Sequence, residues 1–215
     1  MQPLLIQLAG KKVVIAGGGK TAARKAAALS AENPRIIFIA PEFCAEARKL
    51  AEKCGYQLVQ RKAAPEDFQD AMLVVLATND PRANEELARS VPPDRLLCNA
   101  EQAENGNVFF PAVIRRGKLK IAVSTTGASP KLTRKLKKVL AEYFDETWKD
   151  YTEFLSECRS IIKSLPVPFE TKDKMLFRLL DDAYRLDSGK REAELARLKE
   201  LEKKAAKNRA GGSGN

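Results

Sequence analysis

The sequence predicts a doubly wound α/β fold with a parallel sheet, followed by a small α+β segment and a helical C-terminal region. Three observations carry that prediction. Short β-branched runs alternate with helix-forming segments through the N-terminal half. A Gly17-Gly18-Gly19 turn follows the first of those runs at once. From Trp148 onward the pattern is helical, with no further strand signal.

Lys12–Ala16 (KVVIA) is a β-branched run bounded by glycines, as expected of a strand buried in a parallel sheet. Lys20–Ala31 is alanine-rich and favours helix. Arg35–Ala40 (RIIFIA) is the second strand, stopped by Pro41. A helix over Phe43–Lys53, a strand over Tyr56–Gln60 and a short helix or turn over Pro65–Ala71 follow. Leu73–Ala77 (LVVLA) is the fourth strand, Pro81–Ser90 the next helix and Leu96–Cys98 a fifth strand. Right-handed crossovers then give a doubly wound sheet. Beyond it, Val108–Ile114 and Leu119–Val123 read as a hairpin turning at Arg116-Gly117. Pro130–Glu142 is a helix with Leu132, Leu136, Val139 and Leu140 on one face. A hairpin and helix of this size cannot bury their apolar face alone, so they need a partner surface. Lys190–Lys207 is a last, highly charged helix. The expected organisation is a nucleotide-binding domain over 1–112, a small segment over 113–145, a helical domain over 146–207 and a disordered tail over 208–215.

With 44% apolar residues, the 215-residue chain can bury a real core. No apolar run is long enough to span a bilayer, and Leu4-Leu5-Ile6 leads into Lys11-Lys12 rather than a signal-peptide pattern. The four widely spaced cysteines fit reduced packing thiols in a cytoplasmic protein. There is no histidine, which excludes the usual Ser-His-Asp and Cys-His mechanisms and removes the commonest transition-metal ligand, so no metal site is expected. The net charge of +10 is concentrated: residues 105–141 hold nine basic side chains and no Asp or Glu. Such a block is a site for something strongly anionic. Nucleic acid is disfavoured, because no aromatic interleaves the basic residues between Lys118 and Lys138.

Gly17-Gly18-Gly19-Lys20-Thr21-Ala22, between a strand and a helix, is the G-x-G-x-x-A form of the dinucleotide fingerprint, and the fold class is therefore Rossmann-like. Gly17 allows the tight turn, Gly19 lets backbone approach a pyrophosphate, and Ala22 lets the helix pack close to the strand. The helix N-terminus offers N–H groups to phosphate. No acidic residue ends the second strand; Glu42, after Pro41, is the nearest carboxylate for the adenosine ribose, and no arginine stands there for a 2′-phosphate. NAD is favoured over NADP.

The run Leu8-x-Gly10-Lys11-Lys12-Val13-Val14-Ile15-x-Gly17-Gly18-Gly19-x-x-Ala22-x-Arg24-Lys25 resembles the start of precorrin-2 dehydrogenases. Three more motifs are similar to the same family: Ala77-Thr78-Asn79-Asp80 with Asn84, Phe110-Pro111-Ala112 before Arg115-Arg116-Gly117, and Ala122–Pro130 (AVSTTGASP). Tyr151–Arg159 and Asp181–Leu186 look like stand-alone members, so the resemblance covers about residues 3–190. It implies a homodimer with an NAD-binding domain, a dimerisation segment and a C-terminal helical domain. It also implies oxidation of precorrin-2, a reduced tetrapyrrole with eight carboxylates, to sirohydrochlorin by NAD, a substrate that suits the acid-free basic block. Cofactor contacts are then expected from Gly17, Gly18, Gly19, Lys20, Thr21, Ala22, Pro41, Glu42, Thr78, Asn79, Asn84 and Asn99. Substrate contacts are expected from Ser124, Thr125, Thr126, Gly127, Arg115, Arg116, Lys131 and Arg134, while Ser129 and Pro130 read as helix cap and first turn.

Relatives of the bifunctional type carry an Asp a few residues after an Asn at the end of the fifth strand. Here that stretch reads Asn99-Ala100-Glu101-Gln102-Ala103-Glu104, so Glu101 and Glu104 are the candidate proton acceptors, or else loop surface residues. Without that Asp and without histidine, dehydrogenase activity without iron insertion is expected. The competing reading is a regulatory NAD-binding module that does not turn over.

Overall fold

The computed structural model describes residues 2–211. They form two compact units, which divide between Phe110 and Pro111.

The first unit is a five-stranded parallel sheet of β1 (Lys12–Ala16), β2 (Arg35–Ile39), β3 (Gln57–Val59), β4 (Leu73–Leu76) and β5 (Leu96–Asn99), in the order β3-β2-β1-β4-β5. Helices α1 (Lys20–Leu29), α2 (Ala45–Cys54) and α3 (Pro81–Ser90) supply three of the four crossovers, and the β3–β4 crossover carries a 3-10 turn over Pro65–Phe68. The alternating faces of the central strands feed two cores. Val13, Ile15, Phe38, Leu73 and Val75 pack toward α1 and α2, while Val14, Ala16, Ile39, Val74 and Leu76 form the other layer with Phe68 and Leu97. Every residue of β4 is buried, which is why its sequence is a continuous apolar run rather than an alternation. Chain order reverses beside β1: β2 and β3 lie on one side, β4 and β5 on the other. That reversal opens a crevice at the carboxyl ends of β1 and β4, where doubly wound sheets bind ligands.

Helix α3 begins where the sequence places it, because Pro81 fills the first helical position and the Asp80 side chain accepts from the Arg82 and Ala83 N–H groups. Helix α1 is shorter than expected, giving way at Ser30 to a 3-10 turn. The strand expected over 108–114 is also displaced. The Asn107 and Val108 N–H groups both donate to Leu97 O, at 2.9 and 3.0 Å, and Pro111 has no N–H to offer a ladder, so β6 starts only at Ala112.

The second unit opens with the antiparallel hairpin β6 (Ala112–Arg116) and β7 (Leu119–Val123), followed by α4 (Pro130–Tyr143), α5 (Thr147–Ser164), α6 (Phe169–Arg178), α7 (Asp182–Leu186) and α8 (Ser188–Gly211). Its core lies among the helices: Tyr151, Phe154, Cys158, Ile161 and Ile162 of α5 pack with Leu179 and with Leu198 of α8. The hairpin turns at Gly117, with φ of +56°, and sits on α5; a Cβ there would lie 2.5 Å from Lys149 O and 2.7 Å from Thr152 Oγ1. The last helix runs past the expected end at Lys207 to Gly211, so the first part of the expected 208–215 tail is helical backbone. The remainder of that tail, 212–215, lies outside the described residues. Among the described residues no helix is long and apolar enough to cross a membrane.

Candidate dinucleotide site and basic surface

Three loops meet at the carboxyl edge of the first unit. A Cβ on Gly17, whose φ is +136°, would strike Ala77 O, and one on Gly18 would strike Glu42 O. Both positions exclude any larger residue. The loop's own main chain is satisfied there: Gly17 N–H donates to Ile39 O (2.9 Å), and Cys44 N–H donates to Gly18 O (2.8 Å). Gly19 differs. A Cβ on it would find only Asn79 Oδ1, at 3.9 Å, and so would point into open space. Gly19 is the N-cap of α1, no side chain caps that helix, and its first turn carries no acid. The N-terminal amides and positive end of the dipole at Lys20, Thr21 and Ala22 thus face a gap of the kind a pyrophosphate fills. Ala22 is fully buried in the core, as close helix–strand packing requires.

The structure adds a packing role for the middle glycine of the three. Gly18, given no separate role, is as tightly confined as Gly17, because the β2–α2 loop carrying Pro41 and Glu42 folds over it. Pro41 and Glu42 are exposed beside it. Glu46, in the first turn of α2, is held below the ordinary carboxylate range chiefly by its own backbone N–H, then by the Cys44 thiol, with Lys20 and Lys49 adding attraction.

On the β4 side, Thr78 donates its hydroxyl to Asn84 Oδ1 (2.7 Å), and its N–H donates to the same oxygen (3.2 Å). Asn84 Nδ2 donates to Thr78 O (3.2 Å) and to Glu101 Oε2 (3.3 Å). Asn84 is only 1% exposed and its carboxamide is fully engaged with protein, so it does not reach a ligand as the sequence reading expected. Asn99 ends β5. Its Oδ1 accepts from the Glu101 and Gln102 N–H groups, each at 3.2 Å, and its buried Nδ2 has no partner. Glu101 is therefore tied to both α3 and the end of β5, whereas Glu104 is exposed in a 3-10 turn over Ala103–Asn105. Cys98, beneath this edge, has its thiol pushed up by burial, with Lys25 partly offsetting the effect.

In the second unit, loop 124–129 is locked by its own hydroxyls. Thr125 Oγ1 accepts from Ser129 N–H (3.1 Å) and pairs with Thr133 Oγ1 (3.0 Å), and Ser129 Oγ accepts from Leu132 N–H to cap α4. Ser124, Thr126 and Gly127 remain exposed, with Thr126 and Gly127 in left-handed backbone (φ of +49° and +91°). Lys131 and Arg134 are exposed on the first turns of α4, and Arg115 is exposed on β6. Arg116 corrects the sequence reading. Its guanidinium donates to Asp145 O (3.1 Å), Arg115 O (2.9 Å) and Ala141 O (3.3 Å), so it clamps the end of α4 to the hairpin rather than facing outward. Among the described residues no group of three His, Cys, Asp or Glu could hold a metal ion.

A parallel switch-point crevice with a side-chain-free, uncapped helix start defines a dinucleotide-binding protein of the Rossmann class, and residues 4–112 match the family model for putative NAD(P)-binding domains. Residues 116–143 match the central domain of sirohaem biosynthesis proteins, and residues 148–193 match the SirC C-terminal domain. The chain is 35% identical over 186 residues to the precorrin-2 dehydrogenase of Priestia megaterium, covering 86% of this chain and 92% of that one. It is 38% identical over 136 residues to that of Bacillus subtilis, covering 63% and 84%. It is 31% identical to a siroheme synthase of Pseudomonas aeruginosa, of which it spans 35%. The solved structure of SirC, a precorrin-2 dehydrogenase, superposes with a TM-score of 0.80 at 34% identity, over 93% of this chain and all of that one. The chain belongs to the precorrin-2 dehydrogenase family.

The confinement of Gly18 and the openness at Gly19 make opposite predictions. Gly19→Asp should cap α1 and leave the melting temperature unchanged or slightly raised, by about a few tenths of a kcal/mol of stability, while its carboxylate repels NAD from the helix start. Gly18→Ala should lower the melting temperature. Calorimetry with NAD titration checks both, and undiminished NAD affinity in Gly19→Asp would place the pyrophosphate elsewhere.

Proposed function

We propose that this chain oxidises precorrin-2 to sirohydrochlorin with NAD as acceptor, in siroheme biosynthesis. The observation that carries the reading is the pairing of an uncapped, side-chain-free α1 start with membership of the precorrin-2 dehydrogenase family along most of the chain. The reaction removes two hydrogens from the tetrapyrrole, one as hydride and one as a proton. Bound NAD supplies the hydride acceptor. The residues of this chain hold the partners and take the proton.

Gly17–Ala22 receive the pyrophosphate, Glu42 is the carboxylate nearest the end of β2 for the ribose, and Thr78, Asn79 and Asn99 line the carboxyl edge of β4 and β5. Glu101 is the proton acceptor we assign. Its carboxylate is anchored by a hydrogen bond from Asn84, a restraint that supports the choice over Glu104. Ser124, Thr126, Gly127, Arg115, Lys131 and Arg134 bind the substrate's carboxylates, the basic side chains by charge and the loop by hydroxyl and amide donors. Arg116 and Asn84 are left out of the contact set, since their polar groups are committed within the protein.

We further infer a homodimer. Leu132, Leu136, Val139 and Tyr143 of α4 are 45, 38, 52 and 72% exposed, a stripe that calls for cover. The reducing cytoplasm is the compartment we assign, in keeping with four free cysteines. Iron insertion is not part of the proposal, because the chain has no histidine and residues 99–107 hold no Asp, which bifunctional relatives carry in this stretch.

Enzymatically prepared precorrin-2 with NAD should yield NADH at 340 nm; no NADH at any protein concentration would leave a non-catalytic NAD-binding role. Reversing the charges of Lys131 and Arg134 should raise KM for the tetrapyrrole by roughly tenfold or more at low salt, with NAD affinity little changed, and the wild-type KM should itself rise with ionic strength. Sedimentation should give a dimer, reduced to monomer by Val139→Asp; an unchanged dimer would put the interface on another face. Ferrous iron added with sirohydrochlorin should form siroheme no faster than a protein-free control.

A further inference from the structure

We propose that Asn84 is a positioning residue for this reaction: its buried carboxamide aims the Glu101 carboxylate, so Asn84 acts on turnover without touching either ligand. The inference rests on the dehydrogenase reading above and adds to it a residue on a neighbouring element.

The geometry is specific about which end of the amide does what. Asn84 lies in the first turns of α3, where its own N–H donates to Asp80 O (3.0 Å). Its Oδ1 accepts from both the N–H and the hydroxyl of Thr78, two donors that fix that atom as oxygen. Nδ2 is therefore turned toward Thr78 O and Glu101 Oε2, and both of its hydrogens are used. A buried amide satisfied in this way is costly to displace. Glu101, by contrast, is exposed, and its carboxylate receives this bond from a buried donor. Its main chain is held from the other side, where Asn99 Oδ1 accepts the Glu101 and Gln102 N–H groups. Two buried asparagines, one from the β4–α3 side and one from the end of β5, thus bracket a single exposed carboxylate. A bracket for α3 alone would be complete with the Thr78 bonds; the bond to Glu101, seventeen residues on, is the surplus that calls for an explanation.

A proton acceptor must stay within hydrogen-bond reach of the departing proton, and small misplacement costs rate rather than binding. The step assigned here is simple in balance. As hydride leaves a ring carbon for NAD, the second hydrogen leaves the macrocycle as a proton, the new double bond forms, and the Glu101 carboxylate becomes the carboxylic acid.

The test is a donor–acceptor exchange. Asn84→Asp keeps the oxygen that Thr78 needs and replaces the donor to Glu101 and Thr78 O with a carboxylate oxygen that repels both. It should lower kcat roughly tenfold or more, with KM for the tetrapyrrole and the fluorescence-measured affinity for NADH little changed. In a Glu101→Gln background the same substitution should cost no further kcat. The double variant should also melt higher than Asn84→Asp alone, because the amide at 101 can now donate to the carboxylate at 84. Equal fold-losses in both backgrounds, an unaltered kcat in Asn84→Asp, or a parallel loss of NADH affinity would each overturn the proposal. Should Asn84→Asp fail to fold, Glu101→Gln and the double variant decide between them: equal kcat is expected, and a lower value in the double variant overturns it. Wild-type protein that binds NADH yet never oxidises precorrin-2 would overturn both this inference and the function it rests on, whereas turnover with additive losses overturns this inference alone.

Discussion

Strand β1 has to become helix α1 at the most crowded point of the first unit, and the rest of that unit is arranged around the transition. β1 is flanked by β2 and β4, and the loops leaving all three strands converge on Gly17 and Gly18. Neither residue can carry a Cβ, since carbonyl oxygens of Ala77 and Glu42 occupy the space. The surrounding strands are buried almost completely, and each large apolar side chain there contributes on the order of 1.5–3 kcal/mol. The sheet is therefore rigid, and the loop has to adapt to it. Main-chain donation by Gly17 and Cys44 closes the loop onto β2, and the first open direction along the chain is at Gly19. An anion site at the helix start is then a consequence of how a buried strand leaves a doubly wound sheet, not a separate addition to it.

The second unit solves a different problem. It presents a surface with many cations and must still hold a small hairpin in place. Polar clamps do this: Arg116 on three carbonyls, and Thr152 Oγ1 donating to Arg116 O while accepting from Lys118 N–H. Carboxylates are placed where cations need neutralising inside the unit. Glu194, largely buried, takes both Arg178 and Arg197, and it stays below the ordinary carboxylate range because those two guanidiniums outweigh its burial. On α4 the ion pair, Lys138 to Glu142, lies toward the C-terminal end, away from the turn that carries Lys131 and Arg134. Charge near loop 124–129 is thus uniformly positive in sequence, which suits a polycarboxylate better than any neutral ligand.

Most of the architecture could be read from the chain because its signals are local. Continuous β-branched runs marked β1, β2 and β4; proline and a capping acid marked α3; Ser129-Pro130 marked α4. What escaped was decided by contacts distant in sequence. Val108 reads as a strand residue, but its N–H is taken by Leu97 and the ladder waits for Ala112. Arg115 and Arg116 are indistinguishable in sequence, yet β6 alternation sends one outward and turns the other onto carbonyls 25 and 29 residues later. Asn84, which belongs to a recognisable motif, proves to be a buried bracket, and only the position of Glu101 at the end of another strand reveals it. The one local hint was its spacing: Asn84 sits four residues after Asp80, the distance that turns a side chain back over a helix N-terminus.

Loop 124–129, to which the proposed function assigns substrate carboxylates, is ordered by its own hydroxyls. Its hydroxyls divide into two groups. Thr125, Ser129 and Thr133 bond to one another and to the start of α4, and this fixes the turn. Ser124, which accepts the Thr126 N–H, and Thr126 remain on the outside. Holding Thr126, a β-branched residue, at φ of +49° costs on the order of 1–3 kcal/mol and persists only because the inner hydroxyls over-determine the turn. A flexible polycarboxylate loses its own freedom on binding; a loop that has already lost its freedom adds nothing to that cost. The strain at Thr126 and the hydroxyl lock beneath it are therefore two parts of one arrangement, in which folding energy is used to order the loop so that binding energy need not be.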